Sequence, residues 1–125
     1  MKLSIALATL VGLTLALVAR PAQARPEIAS GDRLLNTNVS GCLSLADRFI
    51  SSLEIQSDQG PIDRTGYFED GSFRILCYEA GQASLAVVFA THEKSGDVAS
   101  NFIRMALTQL GQEADLSQQS PKAKP

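Results

Sequence analysis

The sequence predicts an α+β fold, with two helices packed on one face of a small three-stranded antiparallel meander in the order α-β-β-β-α. Three observations predict it. The run from Tyr67 to Ala90 is rich in aromatic and β-branched residues and is broken twice by turn-forming residues. A stretch with apolar residues at helical spacing precedes it, and another follows. The 125 residues allow one domain.

The first 24 residues read as a signal peptide rather than as part of that domain. Lys2 supplies a minimal positive start, and Leu3 to Ala19 is apolar apart from Ser4, Thr9 and Thr14. Arg20-Pro21 ends the run, and Ala22-Gln23-Ala24 has the Ala-x-Ala form of a cleavage site. An uncleaved anchor is the competing reading, but an apolar run of 17 residues is short for a span. The expected address is therefore the periplasm or the extracellular space, with no stable membrane insertion after cleavage.

Residues 25–36 read as a flexible polar lead-in containing Pro26 and Gly31, with Leu34-Leu35 able to cover an edge of the core. Asn36-Thr37-Asn38-Val39-Ser40 is rich in capping residues, so a first helix is expected from there to about Ile55. Cys42, Leu45, Ala46, Phe49, Ile50 and Leu53 form its apolar stripe, with Asp47, Arg48, Ser51 and Glu54 on the other side. Asn38-Val39-Ser40 also fits the glycosylation acceptor pattern, which matters only in a eukaryotic secretory pathway.

Gln56 to Gly66 reads as a solvated loop, punctuated by Gly60-Pro61. The meander follows. Asp70-Gly71 favours a type I′ hairpin, because both central residues need positive φ. On the next strand Phe73, Ile75 and Cys77 share one face, and Arg74, Leu76 and Tyr78 the other. Ala80-Gly81-Gln82 makes a second turn. Ser84 to Ala90 is a third strand with Leu85, Val87 and Phe89 on one side and Ala86, Val88 and Ala90 on the other. A second helix is expected after a cap at Ser95 or Asp97, with Val98, Phe102, Met105, Ala106 and Leu110 inward and Gly111 as its stop. The domain would thus span 37–111, with 112–125 a disordered polar tail.

Cys42 and Cys77 are the only cysteines, so one intrachain pairing exists, and export makes a disulfide the expected state. That bond fastens the head of the first helix to the central strand. It implies that the helices cover the face carrying Phe73, Ile75 and Cys77. The opposite face then carries Arg74, Leu76, Tyr78 and Val88, and it is the candidate binding face.

Removing residues 1–24 takes away Lys2 and Arg20, leaving 9 Lys+Arg against 13 Asp+Glu, a net charge of −4. This mild acidity and the lack of a basic stripe argue against nucleic acid or an anionic membrane as partner. No cofactor or metal site is expected, since two distant cysteines and one histidine fall short of a zinc ligand set. His92 with Glu93 beside it is the one hint of acid–base chemistry, although adjacent residues of an extended chain point opposite ways. A free loop histidine, replaceable without loss of folding, is the expectation. Tyr67, Phe68 and Tyr78 could cluster, more as strand pairing than as a ligand site.

The leading expectation is a small exported non-enzymatic domain that binds a protein or small ligand through the outward sheet face; a homodimer is open to it. Two alternatives stand beside it: a small hydrolase or metal-dependent enzyme using His92 with nearby carboxylates, and a structural or envelope-stress accessory protein.

Overall fold

The computed structural model describes residues 26–119. The expected signal peptide and its cleavage site lie outside the described residues, as does the last part of the tail. The elements run β1 (Glu27–Leu35), α1 (Val39–Leu53), β2 (Gln56–Gln59), β3 (Asp63–Phe68), β4 (Gly71–Ala80), β5 (Ala83–His92) and α2 (Gly96–Gln119). All five strands join one antiparallel sheet in the order β1-β5-β4-β3-β2, and both helices pack on one face of it.

The fold is α+β, but the three-stranded meander is overturned: the sheet has five strands. The lead-in segment is β1, which returns from the far end of the chain to pair with β5 over nine residues, from Glu27↔His92 to Leu35↔Ser84. The expected loop at Gln56 to Gly66 is β2, the turn around Gly60-Pro61 and the start of β3. Both missed strands are edges. β1 has Glu27, Gly31 and Arg33 among its inward positions and Ile28 and Leu34 among its outward ones, and β2 is polar and exposed throughout, so neither shows the alternation that marks a half-buried strand.

The helices form for the expected reasons. Asn38 caps α1, its Oδ1 accepting from the Gly41 N–H at 2.8 Å, so this side chain has a structural task. Glu54 ends the helix in the left-handed region at φ 52°. Ser95 caps α2 through its Oγ, which accepts from the Val98 N–H at 3.3 Å, and Asp97 lies in the first turn where the helix dipole favours a negative charge. Gly111 is not a stop. The helix passes through it and continues to Gln119, with Leu110, Gly111 and Ala114 buried. Arg33 of β1 lies across α2 at this glycine, in space that a Cβ would occupy. Residues 112–119 are thus helix rather than a disordered tail.

The hairpins also differ from expectation. β3 and β4 are joined by Glu69-Asp70, since Phe68 pairs with Gly71, and neither turn residue has a positive φ. Asp70-Gly71 is therefore not a type I′ turn. Gly71 is needed because the Thr91 carbonyl approaches its Cα too closely for any side chain. The second turn follows the sequence rule, with Gly81 at φ +63° as the first central residue between Ala80 and Ala83.

The core lies between the sheet and the helices. Phe73, Ile75 and Cys77 face it, as do Ala86, Val88 and Ala90, together with Leu45, Ala46, Phe49 and Ile50 of α1 and Ile103, Ala106 and Leu110 of α2. Phe49 and Phe73 are its buried aromatic pair; the half-buried Phe102 and the more exposed Phe68 stack on them, with ring centroids 4.6–6.0 Å apart in tilted or edge-on pairs. Tyr67 and Tyr78 are on the opposite face, away from Phe68. Cys42 and Cys77 form a disulfide pair, with Cα atoms 6.0 Å apart, at the head of α1. Such a pairing suits an oxidising compartment. Among the described residues no helix is long and apolar enough to cross a membrane.

Candidate functional site

The register of β4 and β5 decides which side chains reach the open face. Ile75 pairs with Val88, Cys77 with Ala86 and Phe73 with Ala90. Directly paired residues lie on the same side of the sheet, so Val88 belongs to the core, where it is fully buried. Val88 thus lies on the face opposite to the one expected. Leu85, Val87 and Phe89 take that place, opposite Tyr78, Leu76 and Arg74. The error was one of parity: the sequence shows that β5 alternates large and small residues, but not that the small set, Ala86, Val88 and Ala90, faces the helices. Phe49 and Phe73, with Phe102 packed against them, fill the core beside β5, which leaves room there for the smaller set.

The helix-free face therefore reads in rows across the sheet. One row is Ser30, Phe89, Arg74, Thr65 and Asp58; the next is Asp32, Val87, Leu76 and Asp63; a third is Leu34, Leu85 and Tyr78. Tyr78, Phe89, Ile28 and Leu34 are exposed, and Leu76, Leu85 and Val87 are half-buried among their neighbours. Polar groups are fixed along one side. Arg74 donates to Thr65 Oγ1 at 3.0 Å and reaches Asp63 at 3.5 Å. The Tyr67 hydroxyl donates to Asp58 Oδ2 at 2.8 Å, which fastens β2 to β3. Donating that bond holds the Tyr67 pKa above its ordinary value, and the nearby Asp58 charge adds to the rise.

From strand spacing and rise, the whole face spans about 550 Å² in projection, and Ser30, Asp32, Arg74, Thr65, Asp58 and Asp63 make much of it polar. It has an apolar centre on β5 and β4 and a polar side on β3 and β2, with an open depression between Ile28, Thr65, Tyr67, Arg74 and Phe89. An apolar centre with a polar rim is the usual anatomy of a protein interface.

A second feature lies on the helix side, at the end of the sheet. In the inner row Glu27, His92, Gly71 and Phe68 are neighbours. Gly71 contributes no side chain, and a groove of about 240 Å³ opens there, walled by Phe68, Ala90, Val98, Ala99 and Phe102 and edged by Asp70, Ser72, Thr91 and His92. His92 is not a free loop histidine. Its Nδ1 accepts from the backbone N–H groups of Lys94 and Ser95 at 3.2 and 3.0 Å. Nε2 then carries the proton and donates to Asp70 Oδ2 at 3.0 Å. Asp70, rather than the adjacent Glu93, is its carboxylate partner. With both ring nitrogens committed, the imidazole holds the turn into α2 and has no lone pair left to activate a nucleophile. Among the described residues, no three of His, Cys, Asp or Glu converge as a metal site.

Sequence reasoning missed one further polar unit. Arg64 of β3 donates to Asp47 of α1 and to the carbonyls of Gly60 and Asp63, both at 2.8 Å. It ties α1 to the β2–β3 hairpin. Its signal was an arginine in a segment otherwise read as loop.

No family model matches the chain, and no characterised protein or solved structure is significantly similar to it.

Proposed function

We propose that the chain is an exported, disulfide-stabilised domain that binds a protein partner on its helix-free sheet face, without catalysis. The observation that carries this reading is the composition of that face. Leu76, Tyr78, Leu85, Val87 and Phe89 stand together on the two central strands, and no described element covers them. Burying such side chains against a partner is favourable by roughly 25 cal/mol for each Å² removed from water. Arg74, Asp63 and Asp58 along one side would set orientation more than affinity. Export and residence in the periplasm or outside the cell follow from the reading of residues 1–24 and accord with the Cys42–Cys77 pair.

Site-specific photo-crosslinking in the exporting cell tests this. A crosslinker at Phe89 should give a discrete adduct that the additional substitution Arg74→Glu weakens, and one at Asn101 on the exposed side of α2 should not. Equal adducts from both positions, or none from Phe89, would refute the reading.

A second reading attaches to the groove beside His92. Its volume lies just below the usual 300–1,000 Å³ of ligand pockets, and it would admit a small apolar group with one polar end. Chemical shift changes confined to Val98, Phe102 and Thr91 on addition of a small aromatic or aliphatic alcohol would favour it.

A further inference from the structure

The two edges of the sheet are guarded very differently. β2 has four residues, Gln-Ser-Asp-Gln, all polar and exposed, and the turn with Gly60-Pro61 ends it. Short, charged, proline-bounded edges are the usual protection against pairing with another chain. β1 is nine residues long and pairs without interruption with β5, from Glu27 to Leu35. Pro26 precedes it and Asp32 is its one outward charge, but its nine residues contain no proline and no lysine. Among the described residues nothing pairs with its other side. Its outward side chains include Ile28, 70% exposed, and Leu34, 65% exposed, the two most exposed large hydrophobic residues described.

We infer that β1 pairs with β1 of a second copy, antiparallel about a two-fold axis at Gly31, to give a continuous ten-stranded sheet. The strand is self-complementary in this register. Ile28 falls opposite Leu34 of the second copy, and Leu34 opposite its Ile28, so each exposed apolar side chain gains an apolar cross-strand partner. Ser30 falls opposite Asp32, a hydroxyl against a carboxylate. On the helix side Glu27 lies diagonal to Arg33 of the second copy, within reach of long side chains of opposite charge. The full nine residues overlap. A shift by two residues brings Glu27 directly against Arg33 but sets Ile28 against Asp32 and leaves Leu34 without a partner. The unfavourable terms in the chosen register are Glu27 directly opposite Leu35 and the diagonal approach of the two Asp32 carboxylates, which stay in water. A two-fold edge pairing of this kind closes on itself, so it yields a dimer rather than a fibre. It also runs the helix-free faces of both copies together. The inference does not rest on the binding role proposed for that face.

Light scattering after size exclusion, over a series from micromolar to near-millimolar subunit concentration, tests it on the oxidised protein. The wild type should run as a dimer at the upper concentrations. Ile28→Lys with Leu34→Lys should weaken it tenfold or more, with an unchanged thermal midpoint at low micromolar concentration, where both proteins are monomers, since both side chains are mostly in water already. Asp32→Ser should tighten it, which gives an independent readout if the lysine variant folds poorly. Amide exchange along β1 should slow as concentration rises. A wild type monomeric throughout would overturn the proposal; an extended peptide of another protein would then be the candidate for this edge. A dimer that survives the two lysines but is broken by Tyr78→Lys would overturn it too, placing self-association on the open face.

Discussion

Replacing Cys42 and Cys77 together by alanine should remove a large part of the domain's stability. The bond joins residues 35 apart in sequence. In the chain-entropy account, closing a loop of that length in the unfolded chain is worth about 4 kcal/mol at room temperature. Both cysteines are buried, in the core beside Leu45 and Ile75, so the alanines also forfeit packing of the two sulfurs, about 1 kcal/mol more. A single domain is typically stable by ~5–15 kcal/mol, so this loss takes a third of it or more. With a urea m-value near ~1.5 kcal/mol per molar, the midpoint should fall by about 3 M. Far-UV circular dichroism is the suitable probe, since the chain has no tryptophan. Wild type reduced in the unfolded state and refolded under reducing conditions separates the two contributions, because it loses the crosslink and keeps the sulfurs. A midpoint within ~0.5 M of wild type for both samples would refute the argument, and would mean that α1 and β4 are held together without help from the bond.

Other outcomes follow from single contacts. Arg64→Ala should cost about 2 kcal/mol in chemical denaturation, because it removes hydrogen bonds from a mostly buried guanidinium to Asp47 and two carbonyls; a loss under ~0.5 kcal/mol would contradict the role given to it. His92→Ala should cost about 1–2 kcal/mol, against the sequence expectation of no effect, because the Lys94 and Ser95 N–H groups lose their acceptor; an unchanged melting temperature would restore the earlier view. Glu54→Gly should raise stability by about 0.5–1 kcal/mol, since Glu54 occupies a left-handed conformation that glycine adopts without strain. Tyr67 should titrate above the free tyrosine value of ~10, and Asp58→Asn should lower its titration in an ultraviolet absorbance experiment. Its folded pKa is the higher one. The stability linked to it is therefore complete below the unfolded pKa and declines as pH rises through the folded value.

Part of the helical layer was legible in the sequence. Apolar spacing on α1 reflects burial directly; on α2 it holds for Ala106 and Leu110, whereas Val98 and Met105, expected inward, are about half exposed. Two cysteines permit one bond, so the inner face of β4 followed from Cys42 lying on the α1 stripe. The edges of the sheet were not legible. In β1 the sequence Glu-Ile-Ala-Ser-Gly-Asp-Arg-Leu-Leu is held by backbone pairing to β5, a partner about sixty residues away, and backbone hydrogen bonds leave no side-chain signature. β2 is a strand only because Gln56 to Gln59 pair with β3. Val88 was assigned to the wrong face because period two fixes alternation but not which set is inward. Gly111 has the identity of a helix stop, yet tertiary packing against Arg33 and continued apolar spacing at Ala114 override it. His92 looked idle because its partners are two backbone N–H groups and an aspartate 22 residues upstream.

The claim that the helix-free face is where a partner binds is tested most directly by covalent footprinting of the protein in its native compartment and after purification. Tyr78 and Phe89 on that face are 43% and 45% exposed, and Met105 on α2 is 47% exposed, so the three start from nearly equal accessibility. Labelling of Tyr78 and Phe89, each normalised to the purified monomer, should fall several-fold in the cell while that of Met105 stays the same. Equal labelling of all three in both settings, or protection confined to Met105, would contradict the account.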